Sequence, residues 1–286
     1  MNVILGIDIG GSTTKLAGLT PGGKLINVLQ VRASDPVTSA YGGLGRFLRE
    51  NNLKVTDLSQ IVLTGVGASF LPNPMLGVPV VRVPEFTAIG RGGLALSGEE
   101  EALVVSMGTG TAYVKAGADS EIHIGGSGVG GGTIEGLCAR LCGVSQFSSI
   151  IDLAEAGDLK NVDLTIADIS IAPIETLPDT VTASNFGKWR DNATPGDNAL
   201  GVLNMVFETI GMLAVFACRS DGIKHVVLTG SLTTIPRAKW IFDHVEMLYH
   251  IPFLIPPKAE FATAIGAVLA AKGLRQLTED EKQADA

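Results

Sequence analysis

Short apolar runs broken by glycine turns recur along this chain, and their spacing predicts paired strands. Val3-Ile4-Leu5 leads into Ile7-Asp8-Ile9-Gly10-Gly11-Ser12-Thr13-Thr14-Lys15 and then Leu16-Ala17-Gly18-Leu19, which reads as strand, tight turn, strand. Leu103-Val104-Val105-Ser106-Met107-Gly108-Thr109-Gly110-Thr111-Ala112-Tyr113-Val114 repeats that plan in the second half. Between the two, 24–31 reads as a strand and 37–51 as a helix with Leu44, Phe47 and Leu48 on one face. Residues 60–67 read as a buried strand ending in a glycine loop, 78–83 as another strand, and 84–96 as a glycine-rich helix. Strands alternating with helices imply α/β layering. A plan stated twice implies a duplicated fold, with residues 1–100 and 101–286 as its two domains and Gly98-Glu99-Glu100-Glu101 as the junction.

The second domain continues through Ile124-Gly125-Gly126-Ser127-Gly128-Val129-Gly130-Gly131-Gly132-Thr133-Ile134-Glu135-Gly136 into an expected helix over 134–141. Helices are predicted over 147–156 and 198–219, the latter with Leu200, Leu203, Val206, Phe207 and Ile210 at core-facing spacing. A surface excursion holding Pro173 and Pro178 spans 165–178. A strand ending in the turn Gly230-Ser231, a helix over 236–250, an edge strand over 253–255 and an Ala/Gly-rich helix over 261–274 follow, with a frayed acidic tail from Glu279.

Composition narrows the class. Hydrophobic residues are 46% and charged residues 17% of 286, which fits a globular chain. A net charge of −8 argues against a nucleic-acid surface. The longest unbroken apolar stretch, 212–218, is too short to span a bilayer, and no signal h-region precedes the first strand. Cys138, Cys142 and Cys218 offer neither a disulfide framework nor, with four histidines, a metal-ligand pattern. The expected setting is a reducing cytoplasm.

The turns carry the candidate chemistry. Adjacent glycines let backbone approach a ligand without a Cβ in the way. Successive N–H groups in such a turn form an anion nest that suits phosphate. Ser12, Thr13, Thr14 and Lys15 add donors, and Asp8 at the strand end can hold Mg²⁺ or its waters. The glycine run at 125–132 points to a backbone-lined site more than to packing, with its N–H groups aimed at whatever docks on the following helix. No Gly-x4-Gly-Lys-Ser/Thr stretch occurs, which excludes a P-loop, and the first turn continues into a strand, which disfavours a dinucleotide fold.

The ordered set Asp8-x-Gly10-Gly11, Pro84-Glu85-Phe86-x-Ala88, Gly108-Thr109-Gly110-Thr111, the glycine run, Thr182-Ala183-Ser184-Asn185-Phe186-Gly187 and Gly230-Ser231 resembles the type II pantothenate kinases over residues 3–272. The resemblance implies the duplicated actin-like, ribonuclease H-like ATPase fold, two domains around a nucleotide cleft. It implies ATP and Mg²⁺, a homodimer, and phosphorylation of a primary hydroxyl on pantothenate or a relative such as pantetheine, in coenzyme A biosynthesis. Glu85 then matches the catalytic base. Asp8 and Gly10 to Lys15 would hold the phosphates. Thr109, Gly110, Gly131, Gly132, Thr133, Ile134, Glu135, Phe147 and Ser231 would touch the nucleotide. His123, Ser184 and Asn185 fall on the acceptor side. Bacterial members of that family carry Arg where this chain has His123, a change from a fixed planar cation to a titratable ring that weakens the match to a carboxylate-bearing acceptor.

Two other readings use the same fold. An ATPase activator of a dehydratase bridges a dimer through cysteines at an iron–sulfur cluster, an arrangement these three cysteines do not suggest. A regulatory protein binding nucleotide or acyl-CoA would show no steady ADP release.

Overall fold

The computed structural model describes residues 2–32, 35–118, 120–171, 178–188 and 191–278. Pro173 and the acidic tail from Glu279 lie outside the described residues.

The first sheet comprises β1 (Val3–Ile9), β2 (Thr13–Leu19), β3 (Leu25–Arg32), β4 (Leu58–Thr64) and β5 (Val80–Arg82), in the order β3-β2-β1-β4-β5. β1 to β3 form an antiparallel meander, while β4 and β5 add in parallel. The second sheet repeats this: β6 (Ala102–Met107), β7 (Thr111–Ala116) and β8 (Glu121–Ser127) form the meander, and β11 (Val226–Thr229) and β12 (Phe253–Leu254) add in parallel beside β6. The duplication expected from the two hairpins is therefore a duplication of topology. The short runs β9 (Leu164–Thr165) and β10 (Thr182–Ser184) make a separate small ribbon.

Alternation along β1 sorts its side chains. Leu5, Ile7 and Ile9, with Leu16 of β2, pack against Ala40, Leu44 and Phe47 of α1 (Pro36–Glu50). Pro36 at the first position and Asp35, whose carboxylate accepts from Thr38 N, start that helix. The other face, with Ile4 and Ala17, packs on α2 (Glu85–Ser97) and α8 (Ala262–Ala271). α8 lies on β1, β2 and β4, and α2 also covers β6, β7, β8 and β11, so this helix pair sits between the sheets. Their backbones nearly touch: a Cβ on Gly92 would lie 1.9 Å from Ala262 O, and one on Gly266 2.0 Å from Ala88 O. No side chain fits between them.

The second core is built around α6 (Pro195–Asp221), which starts on a Thr194–Asp197 capping box and ends at Gly222 with φ 70°. Leu203, Val206, Phe207 and Ile210 meet Leu103, Val105 and Leu228 of the sheet. α3 (Gly131–Leu141), α4 (Phe147–Glu155), the short α5 (Ile166–Ile169) and α7 (Pro236–Tyr249) complete this half. α6 is long and apolar enough to cross a membrane, a length the seven-residue apolar stretch did not convey, yet 67% of its most apolar window is buried inside the protein.

Candidate active site

The carboxyl ends of β1 and β4 and the start of α2 converge beside the first hairpin. In register, Asp8 is flanked by Lys15 on β2 and Thr64 on β4. Asp8 and Lys15 are both buried. Burial pushes the Asp8 carboxyl up to about 7; Lys15 opposes that rise and Glu85 adds to it. Burial likewise lowers the Lys15 ammonium, against the pull of Asp8 and Glu260. The two directions agree that desolvation outweighs their mutual attraction. Gly65, with φ 87°, follows β4, and a Cβ there would lie 2.6 Å from Asp8 Oδ1. Only glycine fits both the angle and the approach.

Glu85 is the first residue of α2, and burial raises its carboxyl above the ordinary range. A helix N-terminus favours the charged form; burial dominates. Next to it, the Phe86 ring stacks on His123 of β8 with centroids 3.7 Å apart and planes within 2°.

The second hairpin faces the first. Ser12 Oγ and Thr109 Oγ1 are 2.9 Å apart, and Arg32 Nη2 donates to Gln146 Oε1 at 3.2 Å. The glycine run packs on this second hairpin. Gly131 N donates to Gly108 O, and Gly132 N to Thr109 O, each at 2.9 Å. A Cβ on Gly130 would fall 2.7 Å from Thr109 O. Backbone packing therefore does explain part of the run, contrary to the sequence expectation, and two N–H groups expected to meet a ligand are already committed. The same bonds start α3 at Gly131, three residues before the expected 134. Gly128 and Gly136 remain open, with no atom within 4 Å of a Cβ there.

Phe147 continues the cradle: its Cζ and Leu232 Cδ2 each lie 3.4 Å from where a Gly131 Cβ would be. Ser231 opens a 3-10 turn of four residues after Gly230. Gly11 and Gly132 thus lie against Thr109, and Gly131 against Gly108, Phe147 and Leu232, the residue after Ser231; Thr13 and Thr133 are partly buried.

Burial and bonding limit what several of the expected contacts can offer. The Thr14 side chain is fully buried on the α1 face of β2, beside Ile9 and opposite to Lys15 in alternation, so its hydroxyl does not serve the cleft. Ile134 is fully buried in the second core, which leaves only its backbone for a ligand. Ser184 and Asn185 sit on a loop anchored to α6: Asn185 Nδ2 and Thr182 Oγ1 both donate to Glu208, and Phe186 N donates to Asp163. Glu135 is partly buried on α3.

Sequence reading missed Thr64, whose buried Oγ1 has no partner, and Glu260, whose charge acts on Lys15. Thr64 ends a strand before a glycine, and Glu260 precedes an Ala/Gly-rich helix; both are weak signals beside the hairpin motifs. Among the described residues no group of three or more His, Cys, Asp or Glu could hold a metal ion. Asp8 with the Thr64 hydroxyl nonetheless fits a Mg²⁺ that arrives on nucleotide phosphates, because Mg²⁺ there needs only one or two protein carboxylates.

Comparison with known proteins adds to this geometry. A model of the Fumble family matches residues 101–241. The type II pantothenate kinase of Bacillus cereus is 30% identical over 280 residues, covering 94% of this chain and 98% of the relative. That of Oceanobacillus iheyensis is 29% identical over 287 residues, covering 93% and 98%. Among solved structures, the activator of 2-hydroxyisocaproyl-CoA dehydratase from Clostridium difficile with bound ADPNP superposes with a TM-score of 0.68 at 16% identity, covering 95% and 94% of the chains. A ROK hexokinase from Thermus thermophilus gives 0.55 at 15% identity, covering 93% and 97%. These likenesses establish the duplicated actin-like ATPase fold.

Proposed function

This chain belongs to the type II pantothenate kinase family, and we propose that it transfers the γ-phosphoryl group of ATP to the primary hydroxyl of pantothenate. The observation that carries the reading is the meeting of both hairpins at Ser12 and Thr109, with Glu85 close enough to Asp8 to raise its carboxyl. Phosphoryl transfer needs placement and charge neutralisation more than covalent help from the protein.

Glu85 accepts the hydroxyl proton as the acceptor oxygen bonds to the γ-phosphorus and the bond to the bridging oxygen of ADP breaks. Ser12 and Thr109 donate to phosphate oxygens in place of their bond to each other. Lys15, buried beside Asp8, contributes positive charge on that side of the hairpin. Mg²⁺, held through Asp8, would neutralise phosphate charge. Closure of the two halves keeps water from the γ-phosphoryl group.

The reading extends to a homodimer, for which the exposed Leu213, Phe216 and Met247 on α6 and α7 offer an apolar surface. It extends also to a cytoplasmic setting, in keeping with free cysteines. Cys138 and Cys218 lie in the second core, with thiols pushed by burial up to about 12 and about 11. That speaks against cysteine ligation of a cluster, and so for kinase over activator.

The test is ADP release with pantothenate, together with mass detection of the phosphorylated product. Acceptor-dependent ADP formation and a product heavier by one phosphoryl group are expected. ADP formation that ignores pantothenate and every related alcohol would overturn the reading.

A further inference from the structure

The first residues of β8 meet α2 at two points. His123 stacks on Phe86. Two residues earlier, Glu121 Oε1 accepts from Arg91 Nε at 2.8 Å and lies 2.7 Å from its Nη2. Arg91 Nη1 donates in turn to Leu274 O at 2.9 Å, just beyond α8. Glu121 and His123 fall on one face of the strand, and Phe86 and Gly90 on one face of the helix. Two residues of strand rise about 6.6 Å and four of helix about 6 Å, so the two contacts match in pitch. Gly90 leaves room for the Glu121 stem: a Cβ there would fall 2.7 Å from Glu121 Cγ.

The strand turns irregular directly after this contact. His123 pairs with Val114 and Gly125 with Tyr113, which makes Ile124 the extra residue of a bulge. A bulge interrupts the ladder and re-aims its neighbours, so residues 121–123 take their place from α2 as well as from β7. The ion pair that holds them is largely buried, with 17% of the Arg91 side chain and 9% of the Glu121 side chain exposed. A buried pair adds little net stability, because desolvation offsets the attraction. What it supplies is direction. The guanidinium fork holds a carboxylate and a carbonyl at fixed angles, which an ammonium does not.

Resting on the reading of Glu85 as the base, we propose that Arg91 and Glu121 are positioning residues for the transfer step. They clamp β8 to α2, so that Glu85, next to Phe86, and the ring of His123 meet the acceptor at one fixed spacing. The hairpins that hold the phosphates are joined at Ser12 and Thr109 without this clamp, so its effect falls on turnover and not on ATP binding.

Steady-state kinetics on Glu121→Ala and Glu121→Gln, well below their melting temperatures, test this. In Glu121→Ala kcat should fall by about tenfold to a hundredfold, the scale of a displaced catalytic group, with KM for ATP within about twofold of the wild type. Glu121→Gln keeps an oxygen for the Arg91 fork and should recover most of the loss. Proton NMR reads the clamp itself. The His123 ring signals, identified by their absence from His123→Gln, should lie upfield in the wild type from the Phe86 ring current and move downfield in Glu121→Ala. Should Glu121→Ala fail to fold, Arg91→Lys is held to the same two outcomes. Wild-type kcat in the folded variant overturns the proposal, and so does a stability loss with unmoved His123 signals. Glu85→Gln is run beside them: full turnover there overturns the base reading and the clamp's role with it, whereas a dead Glu85→Gln beside a fully active Glu121→Ala overturns the clamp alone.

Discussion

Ser12 of the first hairpin and Thr109 of the second share a hydrogen bond of 2.9 Å across the cleft, although 97 residues separate them. Both hydroxyls are exposed donors at glycine turns, so phosphate oxygens can replace each as the other's partner. Ser12→Ala and Thr109→Val should each raise KM for ATP by about three- to tenfold, the value of one neutral hydrogen bond. Thermal stability should hardly move, because the bond lies at the surface. Steady-state kinetics with varied ATP, beside a melting curve, check this; an unaltered KM would count against phosphate binding between the hairpins.

Asp8 links the site to stability. Its carboxyl is raised from 3.8 to about 7 by burial, so the fold prefers the protonated form. The corresponding stability is fully present below the unfolded value and is lost as pH rises to about 7. Asp8→Asn mimics the neutral acid. In the absence of nucleotide it should therefore match the wild type near pH 4 and exceed it by a few kcal/mol at pH 8. Lys15 loses a partner in that variant, which trims the gain. With Mg²⁺-ATP present the order should reverse, because only the wild type is stabilised by ligand. Melting curves at the two pH values, with and without Mg²⁺-ATP, measure both effects.

Glu85 sets the pH dependence of turnover. Burial raises its carboxyl, and a base must be ionised to accept a proton. The rate should rise with pH through that elevated value and level off above it. Glu85→Gln should keep ATP binding and lower kcat by about 10²–10⁴. Glu85→Asp should retain a share of the activity and the rising limb. Full turnover in Glu85→Gln would remove Glu85 from the role of base.

Local pattern carried much of this. The glycine turns at Gly10-Gly11 and Gly108 to Gly110 are legible because they lie between apolar strands that pair with each other, so the information is contiguous in sequence. The Thr194–Asp197 box that starts α6 at Pro195 lies just ahead of the expected 198–219, a local signal that the apolar spacing alone does not include. The face of Thr14 follows from strand alternation, since it pairs with Ile9 while Lys15 pairs with Asp8. What could not be read is what distant segments bring together. Thr64 meets Asp8 only through the parallel register of β4. Glu260 acts on Lys15 from the far end of the chain. The bonds from Gly131 and Gly132 to the second hairpin, which start α3 early, depend on tertiary contact between glycines whose own helix propensity is poor.

The stack of Phe86 on His123 places that ring beside the base at the acceptor end. The described cations nearest Glu85 in sequence are committed elsewhere: Arg82 Nη2 donates to Leu71 O, and Arg91 pairs with Glu121. His123 is thus the group best placed to meet an acceptor's charge, and an imidazole is a weaker anchor for a carboxylate than a guanidinium. His123→Arg can keep the flat contact on Phe86, since guanidinium stacks on aromatic rings. It should raise kcat/KM for pantothenate relative to neutral pantetheine by about tenfold, the scale of one charge-assisted hydrogen bond. His123→Ala removes the stack and should lower kcat/KM for both acceptors alike. Parallel assays on the two alcohols decide the matter: if the pantothenate/pantetheine ratio is the same in the wild type and in His123→Arg, the ring at 123 does not read the acceptor's charged end.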